Sequence, residues 1–289
     1  MAELRITSST PGIRCGVDIN VNVPDVVTYH IYSDGTIEKH IPKEITKGYE
    51  DKYKYVYHKK QKTKDTTKDD KTEPQKQEED IEITVCTLSV KKVKKRGNGC
   101  KEKIIPKGLK VAYTYPKGGN AQEAYIDQKG TIYVKGTRYG IISYPVAQGQ
   151  TELVRMPDGL SISKNGVNIS FQFGSTKRRY CNPDTMAGFI GALAYFGKTM
   201  ICNGMCFEDA TSYPSLTHPN GDSADTQYST NLATEQKKVK AFILFHFTRI
   251  FRGKGSWYPL LKGTKYVTGH ETHLHAGDFD TNKITIKQL

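Results

Sequence analysis

Tryptophan occurs once, at position 257, and no two cysteines stand as Cys-x-x-Cys. The second absence argues against a zinc ribbon. The six cysteines (Cys15, Cys86, Cys100, Cys181, Cys202 and Cys206) are too sparse for a disulfide framework. Buried free thiols are expected instead, with Cys202 and Cys206 flanking a hairpin turn at Asn203-Gly204; a local disulfide between them is the alternative. Long apolar runs are missing as well. "AGFIGALAYFG" and "VKAFILFHF" are far shorter than a membrane span, so no transmembrane segment is expected. The opening "MAELRITSSTPGIRCG" lacks the apolar stretch of a Sec signal. Synthesis in the cytoplasm is expected, and action in the periplasm or at the cell wall would need another delivery route. Acidic charge is also short, 30 Asp and Glu against 43 Lys and Arg, which leaves a net +13. That balance favours anionic partners such as wall polymers, anionic lipid or nucleic acid.

What is present is mostly strand-forming. Eighteen tyrosines and 26 glycines suit strands and turns better than helix bundles. "RCGVDINVNV", "VVTYHIYSDGTIEKHI", "YKYVYH" and "IEITVCTLSV" read as strands, with Asp34-Gly35 as a hairpin turn. So do "VAYTYP", "EAYIDQKGTIYVKG", "GIISYPV" and "VNISFQF". "SDGTIEK" and "QKGTIYV" share a Gly-Thr-Ile core after a turn, a weak repeat of one hairpin type. Residues 59–80 hold seven lysines, seven acids and no large apolar residue, which predicts a disordered charged insertion. "KKVKKRGNGCKEK" reads first as a lysine-rich sheet edge and second as a polyanion patch.

Helical signals begin after residue 180. "NPDTMAGFIGALAYFGK" has Asn182 or Asp184 as a cap and Gly197 as a stop. "STNLATEQKKVKAFILFHFTRIF" predicts one long helix, capped by Ser229 or Thr230, with Leu232, Val239, Phe242, Ile243, Phe245 and Ile250 on its apolar face. The expected division is a β-rich region over 1–112, a second β-rich segment over 113–178 that could belong with the last unit, and a mixed helix-and-strand unit over 179–289. The fold class is α+β.

Three of the eight histidines crowd into "GHETHLHAGD": His270, His273 and His275. His218 and Asp225 lie some fifty residues earlier. On a strand, His273 and His275 would share a face. His218, Asp225 and His275 then supply two imidazoles and a carboxylate, the donor set of a catalytic zinc with one position left to water. Next to it, His273 could act as general base and acid, with His270 assisting. His246 reads as a core histidine. His30, His40 and His58 read as surface residues. Trp257 and Tyr258 are candidates to line a substrate groove.

These residues resemble the lysostaphin/D-Ala-D-Ala-peptidase/hedgehog superfamily of zinc peptidases, nearest the penicillin-insensitive murein endopeptidase type. His218, Gly221 and Asp225 match its His-x-x-Gly-x-x-x-Asp motif, and His270, His273 and His275 match His-x-x-His-x-His. Two further family positions differ: Ser215 stands where the family often has histidine, and Ser223 where it commonly has aspartate. The likeness covers residues 180–289. It implies a C-terminal α+β zinc-peptidase domain with a small antiparallel sheet and flanking helices, behind a β-rich N-terminal region. It implies Zn2+ on His218, Asp225 and His275, a catalytic His273 and an accessory His270. The implied activity is hydrolysis of an amide bond in the peptide stem or cross-link of peptidoglycan. "YHIYSDGTIEKHIPK" resembles modules of Bacteroidetes effectors carried by contractile injection systems, so a delivery apparatus or an immunity protein is an implied partner. The rival expectation is a non-enzymatic phage-tail or injection-apparatus protein with a structural zinc. A nucleic-acid binder driven by the lysine runs is disfavoured, because no recognised motif accompanies them.

Overall fold

A computed structural model describes residues 24–62 and 78–289. The strand expected at 14–23, and residues 63–77 of the expected insertion, lie outside them. The strands, in chain order, begin with β1 (Val27–Tyr32), β2 (Ile37–Ile41), β3 (Lys52–Lys62), β4 (Glu78–Arg96) and β5 (Cys100–Glu102). Next come β6 (Val111–Thr114), β7 (Ala121–Ile126), β8 (Ile132–Gly136), β9 (Gly140–Tyr144), β10 (Val146–Arg155), β11 (Gly159–Lys164), β12 (Val167–Phe173) and β13 (Tyr180–Cys181). After helix α1 (Pro183–Phe196) come β14 (Met200–Gly204) and β15 (Ala224–Gln227), then helix α2 (Leu232–Leu244). The chain closes with β16 (Phe247–Arg252), β17 (Lys265–Tyr266), β18 (His273–Phe279) and β19 (Ile284–Gln288). The protein is thus mixed and strand-rich, and none of its described helices is long and apolar enough to cross a membrane.

Three sheets result. The first has seven strands in the order β13-β10-β4-β3-β1-β2-β19, and the second seven in the order β11-β12-β14-β15-β18-β16-β17. The third is an antiparallel β5-β9-β8-β7-β6. The C-terminal sheet expected to be small and antiparallel is therefore larger and mixed: β12–β14 and β16–β17 pair in parallel, and β11 and β12 come from the middle segment.

Helix α1 explains how the two large sheets share one core. It packs against β1, β3 and β10 of the first sheet, β12 and β18 of the second, and α2 beside them. Its sequence is apolar round most of its surface, and all its residues but Asp184, Ala194 and Tyr195 are buried, as a helix covered on several sides requires. Gly188 and Gly191 let neighbouring rings approach; a Cβ there would sit 2.3 Å from Phe279 and 2.2 Å from Phe245. Each glycine costs about 1 kcal/mol of helix propensity. Burying Phe189, Ile190 and Leu193 returns ~1.5–3 kcal/mol apiece, so packing rather than propensity holds this helix. Asn182 is its cap, accepting from the Asp184 amide at 2.9 Å, and Gly197 ends it in the left-handed region. One apolar cluster runs from Val27 to Phe279, continuous across residues 112 and 178.

Several expectations change. The long helix stops at Leu244, because His246 takes φ +69° and turns the chain into β16. Ile250 is buried from that strand, not from a helix face. Asn231, not Ser229 or Thr230, caps α2, accepting from Thr234 N at 2.9 Å. Asn203-Gly204 is no hairpin: β14 runs through it between β12 and β15. Cys202 and Cys206 are buried free thiols.

The lysine run 91–95 lies on the part of β4 that pairs with β10 and has passed the end of β3, whose ladder stops at Ser89, so among the described residues it is a lysine-rich edge as expected; Lys91 and Lys92 meet Glu208 and Glu152. Residues 59–62 and 78–80 extend the β3–β4 ladder, so the expected insertion is narrower than 59–80. The two Gly-Thr-Ile segments do form like hairpins. Gly35 and Gly130 have φ +99° and +83°, and Asp34 and Asp127 accept from Thr36 N and Thr131 N.

His30, His40 and His58 are a half-buried cluster rather than isolated surface residues. His30 Nδ1 lies 2.8 Å from His58 Nε2, and the His30 and His40 rings are 4.2 Å apart. Burial, then the neighbouring His40 and His58, lower His30 to about 4.

Candidate metal centre

The site forms where two neighbouring strands and one loop meet. Strands β15 and β18 are antiparallel, with Asp225 opposite His275 and Gln227 opposite His273. The period of two puts Asp225, His273 and His275 on one face. His218 arrives from the loop before β15. That loop needs Gly221: its φ is +72°, and a Cβ there would lie 2.5 Å from Cys181 Cα. Asn220 pins the same loop to the end of β4, its amide pairing with the Arg96 backbone N–H and C=O at 2.8 Å each.

Three donor atoms converge. His218 Nε2 is 2.8 Å from His275 Nδ1, and Asp225 Oδ1 is 3.2 Å from each of them. All three side chains are buried. An ion with ligand bonds of ~2.0–2.1 Å at tetrahedral angles holds its donors roughly 3.3 Å apart. The observed spacings approach that value, so this buried group could hold a metal ion.

Arg178, which the sequence did not single out, donates from Nη2 to Asp225 Oδ2 at 3.1 Å. That leaves Oδ1 facing the imidazoles. Burial alone would raise the Asp225 carboxyl, but His218, His275 and His273 outweigh it and hold it well below the usual carboxylate range. Burial lowers His218 to about 4, against the pull of Asp225. Its Nδ1 is buried with no partner among the described residues.

No family model matches the chain, and no curated protein or solved structure matches it.

His273 stands on the wetter side of the donor group, 21% exposed, with Nε2 3.6 Å from Asp225 Oδ1. Burial lowers its pKa, partly offset by Asp225. The His270 ring lies 5.0 Å from that of His273. Its Nδ1 donates to Val267 O at 3.2 Å, which leaves Nε2 as the acceptor. Burial, then His275, lower His270 as well. These side chains, His218 and Asp225 line a cleft of about 560 Å³, a size suited to part of a peptide.

Trp257 and Tyr258 are not in its lining. They pack on Tyr228, Tyr258 stacking at 3.9 Å. Tyr228 in turn donates to His270 O at 3.0 Å, so the aromatics brace the His270 turn instead of facing a substrate. His246 is partly buried, off the site, with its Nε2 unpartnered among the described residues.

Two further residues shape His275. Phe251 stacks on its ring at 5.1 Å, and Gly277 makes room for it: a Cβ at 277 would sit 2.2 Å from His275 Nε2. Gly277→Ala is expected to push the imidazole off the donor position and to weaken metal binding about 10–100-fold. Competition against a graded chelator measures this; unchanged affinity would refute the steric role.

Proposed function

We propose that this chain is a zinc-dependent peptidase of peptidoglycan, hydrolysing an amide bond of the peptide stem or cross-link. One observation carries the reading: three buried donors, two imidazoles and a carboxylate, converge, and two of them, His218 and Asp225, line an open cleft together with two more imidazoles, His270 and His273. Three protein ligands are what a catalytic zinc uses, whereas structural sites close with four. Zinc bound there would polarise a carbonyl and make water a stronger acid. His218, Asp225 and His275 would hold the ion, and Arg178 would fix the carboxylate. His273, neutral at pH 7 because burial lowers its pKa, would take a proton from the attacking water and return it to the leaving amine. His270 would orient His273 or the substrate. On this reading the 180–289 segment is the peptidase part, consistent with the motif likeness. Delivery by a contractile injection apparatus belongs to the same proposal, on the likeness of residues 29–43.

The test is direct. Zinc-loaded protein is incubated with purified peptidoglycan, and the released fragments are identified by mass spectrometry. New amine and carboxylate ends in the peptide are the expected result. Release of glycan fragments only, or none, would overturn the proposal.

A further inference from the structure

The cleft has a second wall, built by a part of the chain that the peptidase likeness does not reach. The third sheet supplies it through Lys101 of β5 and through Arg138 and Tyr139 of the β8–β9 turn; Lys177 adds to it from the segment before β13. Both cations approach Tyr139, with Lys101 Nζ and the Arg138 guanidinium each 5.4 Å from its ring.

This wall is fixed to the loop that carries His218. Tyr139 N donates to Tyr213 Oη at 2.8 Å, and Tyr144 Oη donates to Ser215 O at 2.6 Å. Gly99 N donates to Leu216 O at 2.8 Å. Gly136 faces the Tyr213 ring so closely that a Cβ would fall 2.4 Å from it.

The charge in this cleft is one-sided. Its only carboxylate is Asp225, which is occupied by Arg178 and the histidines. Lys101, Arg138 and Lys177 meet no carboxylate among the described residues. A chain of net +13 has unpaired lysines elsewhere. These differ in lining one concave surface together with His218 and Asp225 of the metal-donor group, where the field on an anion is focused. A guanidinium and two ammoniums fit a carboxylate, which Arg can take with two parallel hydrogen bonds.

We propose that Arg138, Lys101 and Lys177 form an anion subsite opposite the metal donors, and that the substrate is a peptide presenting a free carboxylate there. The proposal rests on the peptidase reading for its substrate, but its binding claim stands apart from turnover. The third sheet is then the part that selects substrate, and the second sheet the part that holds the metal.

The experiment uses the whole chain, zinc-loaded, and two forms of one peptidoglycan stem peptide, with its carboxylates free or amidated. Binding is read by titration calorimetry at low and high salt, and cleavage by chromatography. The free acid is expected to bind about 10-fold tighter than the amide, a difference of about 1.4 kcal/mol, because a charged acceptor makes stronger hydrogen bonds. High salt should shrink the difference. In Arg138→Gln/Lys101→Gln/Lys177→Gln the preference should vanish, with zinc content and melting temperature unchanged. Neutralising the exposed Lys43, Lys47 and Lys110 should leave it intact. Equal binding of acid and amide by the parent, or a preference that survives the cleft variant, would overturn the subsite. Equal competition by inorganic phosphate against both peptide forms would do the same, showing an unselective basic surface. Should acid-selective binding persist with no cleavage, the hydrolase reading falls and the subsite stands.

Discussion

His273→Ala is expected to keep its zinc and to lose ~10²–10⁴-fold in turnover on peptidoglycan, the usual contribution of a positioned general base. The reasoning is geometric. His273 Nε2 lies 3.6 Å from Asp225 Oδ1, beside the donor group, while the three converging atoms belong to His218, Asp225 and His275. Removing His273 leaves those three donors and Arg178 in place. Metal analysis and fragment release, run on one preparation, read both halves of the claim. The pH profile adds a check. A histidine whose pKa is lowered stays neutral below the ordinary value near 6.5, so parental activity should hold through pH 6.5 and fall only in stronger acid. A bound cation moves the midpoint further the same way. Loss of half the activity at or above pH 6.5 would count against His273 as base.

The second large effect is expected at His218. His218→Ala removes a donor atom that stands 2.8 and 3.2 Å from the other two. Zinc content should fall to background and cleavage should stop. The parent should also lose melting temperature when zinc is stripped, because an ion that binds only the folded chain stabilises it by mass action; the variant should not respond to zinc at all. Comparing the two alanine variants separates the readings. If His273→Ala loses metal as completely as His218→Ala, the ion has four protein ligands, and the non-enzymatic account with a structural zinc becomes the better one.

Much of this architecture was legible in the sequence, for identifiable reasons. Alternation placed β1, and it buries Val27, Tyr29 and Ile31 as a period of two requires. Asn182 and Gly197 bounded α1, since capping chemistry is local. Spacing drew His218, Asp225 and His275 together on paper, and the structure does place them side by side. The failures are equally local. "AFILFHFTRIF" reads as a helix throughout because apolar spacing there fits either state; only the left-handed turn at His246 divides it. Arg178, Phe251 and Gly277 left no trace in the pattern, because each matters through a neighbour distant along the chain or through space a side chain would fill. The cationic wall was legible only in part, through Lys101 in the run read second as a polyanion patch. Lys101, Arg138 and Lys177 are far apart in sequence and meet only when the third sheet folds against the His218 loop.

Enclosure of α1 between the two large sheets has a consequence for dissection of the molecule. A fragment starting at residue 179 would strip away β1, β3 and β10, which cover one flank of that helix, and bare apolar side chains to water. Residues 179–289 are therefore not expected to fold once cut loose from the strands that precede them.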